Sequence, residues 1–540
     1  MNIIDRTIAA ISPKWAVQRT AARRTLDILN YGYSEGGASG RKKSMRGWQT
    51  TAAGPKDDVD LNLSTLRARS RSLYMTAPIA TAALKTNRTN VIGPGLRLKS
   101  RIDTDLLRMT PEEADKWERQ VEREFNLWAS KKQNCDALRL NDFYDMQGIA
   151  FLGTLMNGDA FALFKQSQPT PWMPYPLRIH LVEADRISTP WQDLTVAGTV
   201  EGKNKDNGNM ITSGVEYDST GAVVAYWICN LYPITTGLEA AKPRKWERIE
   251  AFGANTGRPN TLHIAEFERA EQRRGVPYLA PVIESLKQIT RYTEAELMAA
   301  VISGMFTVFI KSNGPASDQP LGSMIPAQDQ NTANNDQADY EMGTGAVNVL
   351  NPGEEIQIAN PGRPNGNFDM FVNSLSKYIG SALDVPVELL LKSFQSSYSA
   401  SRAALLEAWK MFRSRRQWMA KEFCQPIYEE WLSYAIASGR IKAPGYFLDP
   451  TIQQAWAKAE WHGPAPGQID PSKEVEAAGK RIALGISTRE RETIELVGGD
   501  FDQNVKQLAR EKELMDQAGL SQDIPAQSPK ASGEGGDYQQ

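Results

Sequence analysis

The sequence predicts an α+β fold in which long helices flank a β-rich middle and a polar insertion. Apolar residues recur at helical spacing in the first third of the chain and again after residue 276. Short segments between residues 160 and 228 instead alternate apolar with other residues, which is typical of half-buried strands. A polar stretch, 312–340, separates two of the amphipathic helices. These three observations define the fold class.

The composition describes a folded chain of nearly neutral charge. Of its 540 residues, 41% are apolar and 23% are charged, and 62 Lys and Arg oppose 64 Asp and Glu. A dedicated DNA-binding protein carries a strong basic excess, so any contact with nucleic acid should be local or weak. The cysteines, Cys135, Cys229 and Cys424, are too scattered for a disulfide framework and indicate a reducing compartment. No apolar run approaches the ~20 residues of a membrane span.

The N-terminal fifty residues are more basic than the rest. They hold nine Lys or Arg against three acidic residues, and the stretch 34–40 is rich in Gly and Ser. Such an arm could tether nucleic acid, or it could be a solvated, partly disordered terminus. Residues 1–17 lack the features of a secretory signal peptide, so the chain is expected to stay in the cytosol where it is made.

Helices dominate the next region. The pattern predicts one over 61–90, stopped by Val91-Ile-Gly-Pro-Gly95. Thr110-Pro-Glu-Glu113 forms the signature of a capping box and starts another helix. Its apolar face is Trp117, Val121, Phe125 and Trp128. A further helix over 143–155 leads through Asn157-Gly158-Asp159 into the β-rich middle.

The C-terminal half is predicted to contain the longest helices. Apolar spacing indicates a helix over 277–310, a second over 367–383 and a third over 399–438, which Pro426 should kink. Strand-like segments 346–350 and 355–359 lie in the insertion, and a polar loop, 392–398, precedes the third helix. Shorter charged helices follow, and 521–540 should be disordered. The third helix also carries cations that could bind nucleic acid; alternatively, they make salt bridges between adjacent subunits or sit on a solvated face: Lys410, Arg413, Arg415, Arg416 and Lys421.

The sequence offers no set of residues for catalysis. It has no phosphate-binding GxxxxGK[ST] loop and no GxSxG elbow, and its histidines, His180, His263 and His462, lack metal-ligand spacing. The serines of 396–401 are better explained by helix capping than by nucleophilic chemistry. We therefore expect no enzyme, no cofactor and no metal.

Several short stretches carry a family signal when they are taken in order. They are Leu66-Arg-Ala-Arg-Ser70 with Leu73-Tyr74 and Pro78, Asn90-Val-Ile-Gly-Pro-Gly-Leu96, Glu183-Ala-Asp-Arg-Ile187, Gly214-Val-Glu-Tyr-Asp218 with Gly221, Gln272-Arg-Arg-Gly-Val-Pro277, Val385-Pro386 before Tyr398-Ser-Ala-Ser-Arg-Ala-Ala404, and Ile469-Asp-Pro471 with Lys473-Glu474. Together with the order helix, insertion, helix, loop, kinked helix, they resemble the lambda-type portal family of tailed bacteriophages from about residue 60 to 515. The chain departs at 268–272, where Glu-Arg-Ala-Glu-Gln replaces a turn similar to Arg-Pro-Gly-Gln.

The resemblance implies a portal fold with long stem and wing helices, a small α/β clip and a helical crown, assembled as a cyclic ring of twelve subunits. It implies the following regions: a wing at 61–276, stem helices at 277–312 and 367–384, a clip at 313–366, a tunnel loop at 385–398, a long kinked wing helix at 399–439 and a crown at 440–515. Composition adds a basic flexible arm at 1–60 and a disordered tail at 516–540.

The same resemblance implies a ring at one capsid vertex through which phage DNA is packaged and ejected. Its partners would be other copies of the chain, double-stranded DNA in transit, the terminase large subunit, a head–tail adaptor, and the major capsid and scaffold proteins, with no membrane. The protein would be assembled in the host cytoplasm and belong to the virion. Alternatives of other classes are a nucleic-acid-binding scaffold without a channel and a hydrolase with an unfamiliar site.

Near-neutral charge suits a conduit, because each phosphate neutralised by Lys or Arg adds salt-dependent affinity that would retain DNA. The tunnel loop contains one cation, Lys392, and twelve copies would form a sparse positive ring. We therefore take Lys392, Ser393, Gln395 and Ser396 as the candidate residues that face DNA. The alternative is that Lys392 points into solvent between subunits.

Overall fold

The computed structural model describes most of the chain. It covers residues 14, 15, 18, 43–45, 47, 48, 52–193, 200–304, 308–311, 347–350, 367–394, 397–467 and 470–520, with only the backbone of 302–304, 308–311, 347–350 and 398. The chain divides into two compact units, Met1–Gly54 and Pro55–Gln540, and all that follows concerns the second. Most of the predicted arm, the polar part of the insertion with the expected strand 355–359, and the tail 521–540 lie outside the described residues.

The helices and strands are numbered here in chain order. The helices are α1 Leu63–Thr76, α2 Pro78–Val91, α3 Thr104–Leu107, α4 Pro111–Ala129, α5 Lys132–Cys135, α6 Phe143–Asn157, α7 Ile283–Gly304, α8 Phe368–Ala382, α9 Val387–Leu391, α10 Tyr398–Met419, α11 Gln425–Ala437, α12 Pro450–Ala457, α13 Pro471–Ala483, α14 Arg489–Val497 and α15 Phe501–Gln517. The strands are β1 Arg97–Ser100, β2 Asp159–Gln166, β3 Leu177–Glu183, β4 Glu201–Lys203, β5 Met210–Thr212, β6 Val215–Tyr217, β7 Val223–Cys229, β8 Trp246–Glu250, β9 Thr261–Ala265, β10 Val308–Lys311, β11 Val347–Leu350 and β12 Ala459–His462.

The strands form four small sheets. The β-rich middle contains a three-stranded sheet of order β3-β2-β9 and a five-stranded meander from β4 to β8, all antiparallel. The pair β1 and β12 is antiparallel, whereas β10 and β11 are parallel. The combination of helices with these sheets confirms the predicted α+β class.

The main core is a cluster of aromatic side chains between α4, α6 and α11. The Phe125 ring centroid lies 5.5 Å from that of Phe143 and 5.1 Å from that of Trp431, both edge-on, and Phe423 stacks on Phe143 at 5.8 Å. These four rings are fully buried. Edge-to-face pairs of this kind add about 0.5–1.5 kcal/mol each beyond their buried area, so they bind the three helices firmly.

The capping box at Thr110 is present as predicted. The Thr110 hydroxyl accepts the Glu113 backbone N–H at 3.3 Å, and the Glu113 carboxylate accepts the Thr110 N–H at 3.0 Å. The predicted apolar face of α4 is also buried, from Trp117 to Trp128. Local signals were therefore sufficient to define this helix.

Proline and glycine divide the predicted long helices. The segment 61–90 is two helices, because Ala77 precedes Pro78 and is extended, with φ −106° and ψ 111°. The first stem helix ends at Gly304 and not at Ile310, since β-branched Val308 and Ile310 belong to strand β10. The third helix contains a π-helical turn, Ala420–Cys424, before Pro426, which confirms a break at this proline.

Parts of two regions, the expected arm and the expected crown, pack into the folded body. Val59 and Asp60 are buried, so the end of the expected arm belongs to the folded body. Residues 440–462 pack into the main core, because β12 pairs with β1 and the Trp456 ring lies 4.7 Å from that of Trp117. These residues therefore belong to the folded body, and α13, α14 and α15 follow them in the chain.

The turn 268–272 has a residue in an unfavourable backbone conformation, which leads to a first prediction. Glu271 has φ 65°, where the family-like turn would have glycine. Replacing Glu271 by glycine should raise the free energy of unfolding by about 0.5–1 kcal/mol, because left-handed backbone costs an L-residue about 1–2 kcal/mol and glycine's extra chain entropy offsets part of this. Urea unfolding would measure the change. Glu271→Ala retains a Cβ and should show no gain; an equal gain would contradict the backbone explanation.

Candidate functional site

The segment 385–398, expected as the tunnel loop, is partly helical. It begins after α8, where Asp384 takes a left-handed φ of 52°, and it contains the short helix α9. Leu390 of this helix is buried in the main core. The prediction of a loop over the whole segment was therefore wrong for Val387–Leu391, where Pro386 precedes a run of helix-forming residues.

The candidate DNA-facing residues follow α9 directly. Lys392 ends the helix with a left-handed φ of 52°, and its side chain is exposed. Ser393 is also exposed, and its N–H donates to the Glu388 carbonyl at 3.1 Å. Gln395 and Ser396 lie outside the described residues. The Ser397 hydroxyl accepts the Ala400 N–H at 3.4 Å and caps α10, so the expectation of capping is confirmed here.

Helices α7 and α8 pack against each other on only part of their surfaces. The Tyr292 ring of α7 lies 4.8 Å from Phe371 and 5.7 Å from Phe368 of α8. Other apolar side chains of this pair are exposed: Leu297, Met298, Val301, Met370 and Tyr378. Exposed apolar side chains on a pair of packed helices make this pair a candidate interaction surface.

The base of α7 is joined to the sheet by a buried charge cluster around Asp159. Its carboxylate accepts from Arg67 Nη2 at 2.8 Å and from Arg274 Nε at 2.6 Å, and Gly275 N–H and His263 Nε2 each lie 3.3 Å away. Both arginines also donate to main-chain oxygens: Asn157 for Arg67, and Ala184, Ile187 and Ser213 for Arg274. The cluster joins α1, β2, β9 and the approach to α7.

The ionisation states in this cluster follow from the contacts. Burial alone would raise the pKa of Asp159, but the charges of Arg274 and Arg67 hold it well below its usual range. Burial lowers the pKa of His263 despite the neighbouring carboxylate. The Asp159 carboxylate is therefore ionised and the His263 imidazole is neutral at pH 7.

Two glycines make this junction close enough to form. Gly158 has φ 92°, and a Cβ at Gly275 would overlap the Gly158 carbonyl, while a Cβ at Gly158 would overlap the Gly275 carbonyl. Only glycine permits this approach of two backbones. The pair brings the Asp159 carboxylate next to the chain that enters α7.

A second buried carboxylate organises the five-stranded sheet. Glu216 on β6 accepts both arms of the Arg248 guanidinium, at 2.8 and 3.0 Å, and the Trp227 indole N–H at 2.9 Å. Asn204, Asn207 and Asn209 donate to it as well. Burial would raise the pKa of Glu216, but these donors lower it to about 2. The carboxylate holds the turn 204–209 against the sheet.

The cations of the third helix are used within the chain. Arg416 donates to the carbonyl oxygens of Asn90, Val91 and Pro464 at 2.7–3.1 Å, and burial lowers its pKa to about 10. It thereby caps the C-terminus of α2. The others pair as follows: Lys410 with Glu407, Arg413 with Glu495, Arg415 with Asn87 and Lys421 with Glu422. These contacts favour salt bridges over a nucleic-acid patch. The salt bridges join residues of one chain, whereas bridges between adjacent subunits were the expectation.

The described residues hold no group of three or more His, Cys, Asp or Glu that could bind a metal ion. The three histidines have different neighbours: His263 contacts Asp159, His462 contacts Glu460, and burial lowers the pKa of His180. The three cysteines are free and buried. Among the same residues, no helix is long and apolar enough to cross a membrane.

Sequence reasoning missed the convergence of the family-like stretches. Arg67, Asp185 and Arg274 come from three of these stretches, and Asp159 is the first residue of β2, yet all four meet at one buried site. The available signal was a charged residue within an otherwise apolar helix or at the start of an apolar strand. No local pattern shows which of many charges are buried.

The comparisons with known proteins agree with the sequence resemblance. Residues 41–416 match the family described as phage portal protein, lambda family. The chain is 26% identical to portal protein B of Escherichia phage lambda over 516 residues, covering 91% of this chain and 92% of that one. It is also 26% identical to the portal protein of Escherichia phage N15 over 521 residues, covering 92% of each.

Among solved structures, chains from particles of a gene transfer agent match this chain. A chain of the native virion is 12% identical, with a TM-score of 0.37, and covers 80% of this chain and 92% of its own length. A chain of the native particle's neck has a TM-score of 0.36 at 12% identity. The assignment rests on the family match, which spans most of the sequence. This chain belongs to the lambda family of phage portal proteins, which are structural components of the virion.

Proposed function

We propose that this chain forms a ring at one capsid vertex and that phage DNA passes through the ring during packaging and ejection. The observation that carries the proposal is the helix pair α7 and α8, which presents exposed apolar side chains, together with the exposed Lys392 and Ser393, which follow the short helix α9 after α8. A ring explains both, because neighbouring copies would cover the apolar surface and leave the polar residues at the bore.

The regions then receive roles in the ring. Helices α7 and α8 form the stem, and residues 61–276 with α10 and α11 form the wing. Residues 313–366 form the clip, which meets the terminase large subunit during packaging and the head–tail adaptor afterwards. Helices α13 to α15 form the crown. The major capsid and scaffold proteins contact the outer surface during assembly in the host cytoplasm.

Ring formation has a direct test. Purified protein should elute as a species of roughly 0.7 MDa, that is twelve chains of 59.9 kDa, in light scattering after size exclusion. Negative-stain images should show a central opening. A nucleic-acid scaffold without a channel would bind DNA as a smaller species and show no opening, which would overturn the proposal.

The charge of the stem suits DNA that slides. Its described charged residues nearly balance: Lys287, Arg291 and Lys377 against Glu284, Glu294, Glu296 and Asp369. A bore without a basic excess makes few lasting phosphate contacts. The candidate positive ring at Lys392, beside Ser393, Gln395 and Ser396, would then be the main contact with phosphates.

Replacing Lys392 by alanine should weaken DNA retention in filled particles and flatten its dependence on salt. Each lost phosphate contact reduces the slope of log affinity against log salt by about 0.9. The readout is nuclease-protected genome per particle over a salt series. Lys203→Ala removes an exposed cation from β4 and should leave retention unchanged. Retention that is the same in Lys392→Ala and the wild type would exclude the phosphate contact.

A further inference from the structure

Tyr278 lies where the two stem helices meet the wing. Its backbone N–H donates to the Leu155 carbonyl of α6 at 2.9 Å, which fixes the chain just before α7. Its side-chain hydroxyl donates to the Leu383 carbonyl at the C-terminus of α8. The last carbonyls of a helix have no partner within the helix, so this hydroxyl supplies one from another element.

The tyrosine ring is itself held by the wing. The Arg415 guanidinium of α10 lies over the ring, with Cζ 4.4 Å from its centroid, and also donates to the Asn87 side-chain oxygen of α2. The Asn87 amide nitrogen lies 3.5 Å from the Tyr278 hydroxyl. Side chains of α2 and α10 therefore contact Tyr278, and the Tyr278 hydroxyl contacts the Leu383 carbonyl at the end of α8.

That carbonyl immediately precedes the tunnel loop. Asp384 reverses the chain with its left-handed backbone, and the Val385 N–H returns to the Gly380 carbonyl at 3.0 Å. A Cβ at Gly380 would collide with the Val385 carbonyl, so the turn is tightly closed. Because the turn is closed, a restraint on Leu383 also sets the direction in which the next residues leave α8.

We propose that Tyr278, clamped by Arg415, is a positioning residue that fixes the tunnel loop relative to the wing. The Tyr278 hydroxyl is the restraint on Leu383, and the Arg415 guanidinium holds the ring in place for it. The consequence for DNA rests on the function proposed above: a loop released from the wing would still line the bore, but it would hold DNA less well.

A spin label on the loop tests the restraint directly. The described native cysteines are buried, so a nitroxide attached to Ser393→Cys in the full-length protein reports on the exposed loop. Tyr278→Phe removes only the hydroxyl. The matched control is Tyr434→Phe, which removes a hydroxyl that accepts from Gln166 at 2.6 Å elsewhere in the wing.

Tyr278→Phe should increase the population of mobile label about tenfold, whereas Tyr434→Phe should leave the spectrum unchanged. Arg415→Met should have the same effect as Tyr278→Phe, and the double variant should be no more mobile than either single variant, because the two side chains act as one unit. Equal label mobility in Tyr278→Phe and the wild type, at equal helicity, would overturn the proposal. So would fully additive single effects.

An experiment on assembled particles separates this inference from the proposed function. In particles, Tyr278→Phe should package DNA normally but retain less of it than Tyr434→Phe. If the wild-type protein forms no ring, the proposed function fails, while the label experiment still decides the restraint. If rings form and the label stays immobile in Tyr278→Phe, only the restraint fails.

Discussion

Replacing Asp159 by alanine is expected to lower the free energy of unfolding by about 3–5 kcal/mol, the usual range when one partner of a buried ion pair is removed. The carboxylate is fully buried and compensates Arg67 and Arg274, which are also buried. Without it, two guanidinium groups stay in a low-dielectric interior and lose the carboxylate that pairs with both of them. The carboxylates that remain nearby are less well placed: Asp185 lies 3.5 Å from Arg67, and Asp60 acts on both guanidinium groups through its charge. Main-chain carbonyls cannot neutralise them.

The measurement is urea unfolding at one protein concentration, so that any association contributes equally. Asp115→Ala is the matched control, because Asp115 pairs with Arg119 at 2.7 Å on the exposed face of α4. Exposed pairs one helical turn apart contribute about 0.3–0.5 kcal/mol. If both alanine variants lost similar stability, the Asp159 cluster would not be a main support of the fold.

The same carboxylate makes stability depend on pH with a defined sign. Its folded-state pKa is lowered, so its contribution is complete above the unfolded-state pKa near 4 and is lost as pH falls below that value. The wild type should lose stability between about pH 4 and 2. The difference between the wild type and Asp159→Ala should therefore shrink over this interval. A constant difference across it would contradict the assignment of the ion pair.

Much of the fold could be predicted from the sequence where structure is set by neighbouring residues. The Thr110 capping box, the buried face of α4 and the break near Pro426 all depend on side chains within a few positions of one another. The pairing of β1 with β12 could not be predicted in this way. These four-residue strands lie more than 350 residues apart, and such short strands carry almost no periodicity.

The sequence indicated the candidate residues of the site but not the contacts of the residues around them. A polar stretch before the third helix indicated Lys392 and Ser393, and both are exposed there. The contacts of Tyr278 and the partial burial of Arg415 and Arg416 were not visible in the sequence, because a guanidinium on an amphipathic helix has the same pattern whether it meets solvent or a carbonyl. Tertiary packing alone decides between these outcomes.

Replacing Gly275 by alanine is expected to destabilise the protein by about 3 kcal/mol or more, although it adds a single methyl group. The new Cβ would overlap the Gly158 carbonyl, and both clashing partners are backbone atoms that cannot rotate away. The clash can be relieved only if the chain that enters α7 moves, and that movement lengthens the contact between Gly275 N–H and Asp159. The substitution therefore disturbs both the entry of the chain into α7 and the charge cluster around Asp159.

Gly479→Ala provides a control of opposite sign. Gly479 lies inside α13 with no atom within 4 Å of a Cβ built there, so alanine should stabilise this helix by about 0.5–1 kcal/mol. Thermal unfolding of the two variants should shift in opposite directions. If Gly275→Ala unfolds at the wild-type temperature, the two backbones can separate without loss, and the close junction between sheet and stem is not required for stability.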